Sequence, residues 1–509
     1  MNTMNFPSLR VDGLTLVLGL GETGTAAALW CARHGASVRV LDTRQQPSGL
    51  ASLRAGLDDS RVDYRLGLGV FTAEALHDVH TIVLSPGLAP SEEPVRSFLE
   101  IARQRGVDVV GEIELFARAL ADMSEQGYKP SVLAVTGTNG KTTVTAMARQ
   151  LVQACGRRTQ AAGNIGPAAL QALSDALEGD ELPEVWVLEL SSFQIEGVRT
   201  LSPDAAVVLN VSQDHLDWHG SMQAYTAAKA RLLTMAQITI INRDDPLVID
   251  MVPDIKALNV RSFGRGMPEL EGDLGLEESN GMAWIVAADP TDFDLPATTS
   301  RRKKPITEPV RSAGRAARLM PVDALRVRGQ HNALNALAAL ALGRSLGLGW
   351  ASMLHALRDY HGEPHRTQFL RTIGGVDFVN DSKGTNVGAT VAALNGMGGK
   401  VVLIAGGLGK GQDFTPLAKA VRAHARAVVL IGQDAQRIEK VLVDAQVPVE
   451  CAASLALAVH RSLELAQTGD TVLLSPACAS MDMFRNYGHR GHCFAEEVNE
   501  LALSRGEVA

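Results

Sequence analysis

Short apolar runs recur along the chain, and most of them stop at a glycine-rich or polar cluster that opens a helical pattern. Leu14 to Leu18 runs into Gly19-Leu-Gly21-Glu22-Thr23-Gly24 and a helical stretch to Gly35. Val38 to Leu41 stops at Asp42-Thr43, and Thr81 to Leu84 stops at Ser85-Pro86-Gly87. Val132 to Val135 leads through a glycine loop into a helix predicted from Thr142 to Leu151. Glu184 to Leu190, Ala205 to Val211, Val376 to Asn380, Lys400 to Ala405 and Thr471 to Leu474 repeat the arrangement. Runs that are apolar throughout, instead of at alternate positions, predict strands buried on both faces, as in parallel sheets. Their polar ends then lie at the carboxyl edge, where α/β sheets bind ligands.

The sharpest cluster is Gly137-Thr138-Asn139-Gly140-Lys141-Thr142-Thr143. A glycine loop between strand and helix aims backbone N–H groups and the positive helix end at a phosphate chain. Lys141 adds a cation for the outer phosphates and Thr142 a hydroxyl for Mg²⁺. The strict P-loop pattern needs glycine where Val135 stands, so this is a shorter variant, and it predicts a nucleoside triphosphate as ligand.

The first glycine cluster is a GxGxxG, with Asp42 about twenty residues beyond it, as in dinucleotide folds. Taken alone it suggests NAD. Its physical content is a diphosphate at a helix start and an acid for a base or ribose, and UDP fits as well as NAD does. An NAD-dependent oxidoreductase would leave Gly137 to Thr143 without work.

With 509 residues the chain exceeds one core and suggests about three domains. The pattern places them at 1–125 (a Rossmann-like unit), 126–328 (a central P-loop-type ATP-binding unit) and 329–509 (a second Rossmann-like unit), an α/β architecture of mostly parallel sheets with helices. Residues 292–320 lack helical or strand period and read as a mobile surface insertion, with Arg301-Arg302-Lys303-Lys304 as a solvated run. A net charge of −8 argues against a general nucleic-acid binder. No run approaches the roughly 18 apolar residues of a membrane span, and Met1 to Gly13 carries no signal-peptide core. Five scattered cysteines with no CxxC complete the expectation of a reduced, cytoplasmic enzyme.

Taken together these clusters resemble the Mur ligases of peptidoglycan synthesis. The resemblance runs from Gly19 to Phe494, apart from the loop around 292–320. It rests on Gly137 to Thr143, Gly163-Asn164-Ile165-Gly166, Glu189-Leu-Ser-Ser-Phe-Gln194, Asn210 to Asp217 and His331-Asn332. Asn380-Asp381-Ser382-Lys383, Thr385-Asn386 and the run from Ser475 to Arg490 resemble the members that add D-glutamate, and the Asp-Asn-Pro-Arg of diamino-acid-adding relatives is missing. Leu408 departs from the aspartate common in the family's Gly-Gly-x-Gly-Lys loop, which puts a polar role there in doubt. A relative extending a folate tail would share the central block only; the first glycine loop, suited to a diphosphate, argues against it.

The resemblance implies ATP-driven formation of an acyl phosphate on UDP-N-acetylmuramoyl-L-alanine, followed by attack of the D-glutamate amine through a tetrahedral intermediate. It implies two Mg²⁺ ions held by Thr142, Glu189, His215 and Lys229, the last as a CO₂-derived carbamate. Lys141, Glu189, His215 and Lys229 are the implied catalytic set. Around ATP it places Gly137 to Thr143, Asn332, Asn335, Arg366 and Asp381. For the UDP-substrate it implies Glu22, Thr23, Asp42, Thr43, Ser85, Pro86, Gly87, Asn164 and His365. For D-glutamate it implies Lys383, Thr385, Lys410, Ser480 and Tyr487. A monomer is expected, without nucleic acid or membrane insertion.

Overall fold

The computed structural model describes residues 4–58, 61–290, 310–327 and 329–507. The apolar runs form strands in three sheets. The first comprises β1 (Leu14–Leu18), β2 (Ser37–Asp42), β3 (Val62–Leu66), β4 (Val79–Leu84) and β5 (Asp108–Val110), all parallel in the order β3-β2-β1-β4-β5. The second holds β6 (Ser131–Thr136), β7 (Thr159–Gly163), β8 (Val185–Glu189), β9 (Ala205–Val208), β10 (Ile238–Asn242), β11 (Val260–Phe263), β12 (Leu274–Ser279), β13 (Met282–Pro290) and β14 (Gly314–Pro321). Its order is β14-β13-β12-β11-β10-β9-β6-β8-β7, antiparallel only across β12, β13 and β14. The third is β15 (Gln368–Ile373), β16 (Val376–Asn380), β17 (Val401–Gly406), β18 (Ala425–Ile431), β19 (Val449–Cys451) and β20 (Thr471–Leu474), in the order β15-β16-β20-β17-β18-β19 with β15 alone antiparallel.

Every residue of β8, β9 and β17 is buried, as continuous apolar runs require of strands covered on both faces. In each sheet the order reverses at an inner strand. β1 lies between β2 and β4, β6 between β8 and β9, and β20 between β16 and β17. Connections leave such points in opposite directions and open a crevice at the carboxyl ends. The glycine loop after β1, the phosphate loop after β6 and the Ser475 loop after β20 therefore stand at crevices.

Two readings of the sequence need correction. Residues 314–320, placed in the mobile insertion, belong to β14, which pairs with β13 from Trp284↔Pro321 to Pro290↔Gly314. Their pairing partner, not their own composition, makes them a strand. Residues 292–309, with Arg301 to Lys304, lie outside the described residues. The break drawn at residue 328 also moves. The helices Gln330–Ser345 and Trp350–Arg358 bury Ala336 to Leu342, Met353 and Leu357 in one core with β6, β9 and the helix Lys141–Ala154. An alanine-rich helix buried nearly all round belongs to the middle of a domain, and the third unit starts in the connection after residue 358. Among the described residues no helix is long and apolar enough to cross a membrane. All five cysteines are free.

Candidate active site

The phosphate loop leaves β6 into a cleft of about 580 Å³ lined by both the second and the third units. Gly140 has φ +86°, and a Cβ there would stand 2.6 Å from Asn335 Oδ1. Left-handed backbone and the close approach of the helix Gln330–Ser345 both demand glycine. The Lys141 ammonium donates to the carbonyls of Gly137 and Thr138, each at 2.9 Å. Burial pushes its pKa down, with Arg366 acting the same way against Glu189. The ammonium forms these bonds to neutral carbonyls and lines the cleft, so it is placed to receive an anionic phosphate.

Beside it, Thr142 Oγ1 donates to Glu189 Oε2 at 2.7 Å, Asn164 Nδ2 donates to Glu189 Oε1 at 2.6 Å, and Arg366 Nη2 donates to Thr142 Oγ1. Glu189 is 1% exposed at the end of β8. A hydroxyl and a carboxylate one hydrogen bond apart are the hard oxygen donors that Mg²⁺ takes, so the residues fit the ion.

Lys229 looks like a surface lysine in sequence, yet on the helix Met222–Met235 it is 1% exposed. Its Nζ donates to the Gly137 carbonyl at 3.0 Å and to Thr136 Oγ1 at 3.5 Å, and it lies 4.6 Å from the Tyr225 ring centroid. Burial first, and Lys141 second, hold its pKa well below the usual lysine range. His215 (φ +54°) lies 3.6 Å from Asp214 Oδ2, and burial lowers its pKa against the pull of Asp214. A neutral imidazole beside a buried amine with a neutral fraction is compatible with metal ligation by both, once the amine is carbamylated.

On another wall of the cleft, Asn335 Nδ2 donates to Asn332 Oδ1 at 3.2 Å next to Gly140. Asp381 accepts from Ser475 Oγ at 2.7 Å and from the Thr367 N–H at 3.2 Å, and burial lifts its pKa to about 6. His365 is held by Asn380, whose amide lies 3.1 Å from its Nδ1, and does not line the cleft.

The first sheet's residues form a separate cluster at its own switch point. Ser85 Oγ donates to the Gly19 carbonyl at 2.7 Å. Asp42 accepts from the Leu20 N–H at 2.8 Å and pairs with Arg44 at 2.7 Å, contacts that hold its carboxylate at the end of β2. Thr23 sits in the first turn of the helix Glu22–Arg33, and Thr43, Pro86 and Gly87 sit in the loops after β2 and β4. Glu22 reaches the second unit, its Oε1 3.2 Å from where a Gly166 Cβ would stand, two residues from Asn164. The cluster thus adjoins the phosphate site through the 163–166 loop.

The third unit brings Lys383, Thr385 and Lys410 to the cleft. Lys383 Nζ lies 3.8 Å from the Tyr487 ring centroid, and burial lowers its pKa to about 8. Ser480 is buried in the adjoining loop. At Leu408 the main chain does the holding: its N–H donates to the Ala479 carbonyl at 2.9 Å and its carbonyl accepts from the Ala479 N–H at 3.0 Å. A polar side chain is not needed to join the two loops. Arg490, fully buried, was missed by sequence reading; it donates to Ser382 Oγ and to the carbonyls of Ser382 and Cys478, tying the loops after β16 and β20 together.

The chain belongs to the Mur ligase family. Residues 14–111 match the Mur ligase MurD-like N-terminal domain, 135–300 the Mur ligase middle domain and 365–478 the Mur ligase glutamate ligase domain. Over its whole length it is 66% identical to the UDP-N-acetylmuramoylalanine–D-glutamate ligase of Bordetella bronchiseptica, covering 100% of both chains. In fold it is similar to the UDP-N-acetylmuramate-alanine ligase MurC of Thermotoga maritima (TM-score 0.54, 19% identity, 96% of this chain and 100% of the other). The MurF ligase of the same organism in complex with ADP is equally similar (TM-score 0.55, 17% identity, 97% and 98%).

Proposed function

We propose that this chain joins D-glutamate to UDP-N-acetylmuramoyl-L-alanine at the expense of ATP, as a cytoplasmic monomer in peptidoglycan precursor synthesis. The observation that carries the reading is one cleft lined by a phosphate loop and by the Lys383, Thr385 and Lys410 loops, with a diphosphate-type glycine loop adjoining it. Full-length identity to a D-glutamate ligase supports the choice of amino acid.

In this reading Lys141 and Arg366 bind the outer phosphates of ATP, and Asn332, Asn335 and Asp381 hold its nucleoside. The substrate carboxylate attacks the γ-phosphorus, ADP leaves, and the D-glutamate nitrogen attacks the acyl carbon with loss of phosphate and of an amine proton. Thr142 and Glu189 would hold one Mg²⁺, His215 and carbamylated Lys229 a second; bound there, the ions neutralise charge on the transferring phosphoryl group. Lys383, Thr385, Lys410, Ser480 and Tyr487 receive the two carboxylates of D-glutamate, which need fixed cations and several donors. The enclosing loops exclude water from the acyl phosphate.

Phosphate release tests the reading. With ATP, Mg²⁺ and UDP-N-acetylmuramoyl-L-alanine, release is expected with D-glutamate and not with L-glutamate, L-alanine or a diamino acid. Release with a diamino acid and none with D-glutamate would overturn it. A Lys410→Ala enzyme is expected to raise the KM for D-glutamate at least about tenfold, the scale of one lost charged contact, while the KM for ATP stays within about twofold. Movement of the ATP KM alone would remove Lys410 from the amino-acid pocket.

A further inference from the structure

Asn139 sits in the middle of the phosphate loop, where a nucleotide contact is expected of it. Its main chain is held within its own unit: the N–H donates to Asn210 Oδ1 at 2.8 Å, and its carbonyl accepts from Asn210 Nδ2 at 3.1 Å. Its side chain is turned to the third unit. Asn386 Nδ2 donates to Asn139 Oδ1 at 3.1 Å, and Asn139 Nδ2 donates back to Asn386 Oδ1 at 3.3 Å. Asn386 Nδ2 also donates to Asp214 Oδ2 at 3.2 Å.

Asn386 is itself fixed. It caps the helix Val387–Gly396, accepting from the Ala389 N–H at 2.9 Å, and it is 6% exposed. The contact depends on close approach of that helix. A Cβ at Gly388 would lie 3.0 Å from Ser212 Oγ and 3.3 Å from Asn139 Nδ2, so the start of the helix is in close contact with the second unit. Residues separated by 247 positions are thus joined by a reciprocal amide pair, with the carboxylate next to His215 as third member.

We infer that Asn139 and Asn386 are positioning residues forming a latch that locks the phosphate loop only when the third unit is seated on it. Thr385, the neighbour of Asn386, belongs to the D-glutamate pocket in the function proposed above, and the inference rests on that reading for the identity of the amino acid. Filling the pocket holds Thr385 and with it the third unit in place, which keeps the capped Asn386 against the Asn139 side chain in the loop that faces the triphosphate. By linkage the nucleotide and the amino acid then raise each other's affinity by the same factor.

The test uses Asn386→Ser, which retains a good helix cap but cannot reach Asn139, together with Asn139→Ser and the double variant. D-Glutamate binding is titrated calorimetrically on the full chain with UDP-N-acetylmuramoyl-L-alanine, with and without Mg²⁺ and a non-hydrolysable ATP analogue. The analogue is expected to tighten D-glutamate binding about tenfold in the unsubstituted protein and less than about twofold in either single variant, with the double variant no worse than the singles. Coupling unchanged in Asn386→Ser would overturn the latch. Absence of D-glutamate binding to the unsubstituted protein would instead defeat the function reading. Small-angle scattering with the analogue alone then decides the latch, because Asn386→Ser must be more expanded than the unsubstituted protein; identical profiles would overturn it.

Discussion

A Lys141→Ala enzyme is expected to lose ligation, with phosphate release falling by about two to three orders of magnitude, while UDP-substrate affinity stays within about threefold. The size follows from removing a charge that acts on the transferring group in a buried site, which costs roughly 3–4 kcal/mol in comparable cases. The ammonium is anchored by the Gly137 and Thr138 carbonyls at the start of the helix, so it stands ready before ATP arrives. Alanine keeps the helix but leaves only Arg366 and the loop N–H groups for the outer phosphates. The first sheet's cluster lies in another unit, around Gly19 and Ser85, and does not touch Lys141. Stopped assays give turnover and calorimetry gives UDP-substrate binding. More than a tenth of normal turnover would end the assignment of Lys141 to the phosphoryl group.

The second large effect is at Lys229. A Lys229→Ala enzyme is expected to lose at least about a hundredfold in turnover, in the upper range for lost metal-ligand support, and millimolar acetate is expected to restore part of it. Carbamylation needs a neutral amine, and burial, with Lys141 beside it, lowers the Lys229 pKa in the direction that favours one. In the proposed role the carbamate would bring two oxygens and a negative charge to the buried position that the amine now shares with Thr136, Gly137 and Tyr225. Acetate fits the vacated volume with the same charge; methylamine brings the opposite one and is expected to fail. Rescue by amines and not by acids would make Lys229 a working cation, and full activity of the alanine variant would remove it from the site.

The local signals carried far. β1, β16 and β20 begin and end where the predominantly apolar runs begin and end, because a strand covered on both faces buries most of its positions whatever it pairs with. The phosphate loop was equally legible, since its chemistry is contained in seven consecutive residues. Pairing between distant segments was not. β14 is a strand only because β13 lies beside it, and the helix Gln330–Ser345 belongs to the second unit only because β6 and β9 leave an apolar surface for it. Asn386 carried a partial signal as a helix-capping residue, but nothing near it points to Asn139.

By itself, then, the sequence determined the three-sheet α/β plan, the glycine loops and the acid, amide and lysine residues available for chemistry, because each is written in a few neighbouring positions. The tertiary structure decided which of them meet. It buried Lys229 against the Gly137 carbonyl, set Asp42 against the Leu20 N–H and Arg44, and set Asn386 against Asn139. Burial, desolvation and hydrogen bonding depend on groups tens to hundreds of residues away, so no local pattern fixes whether a lysine is a solvated surface charge or a buried amine.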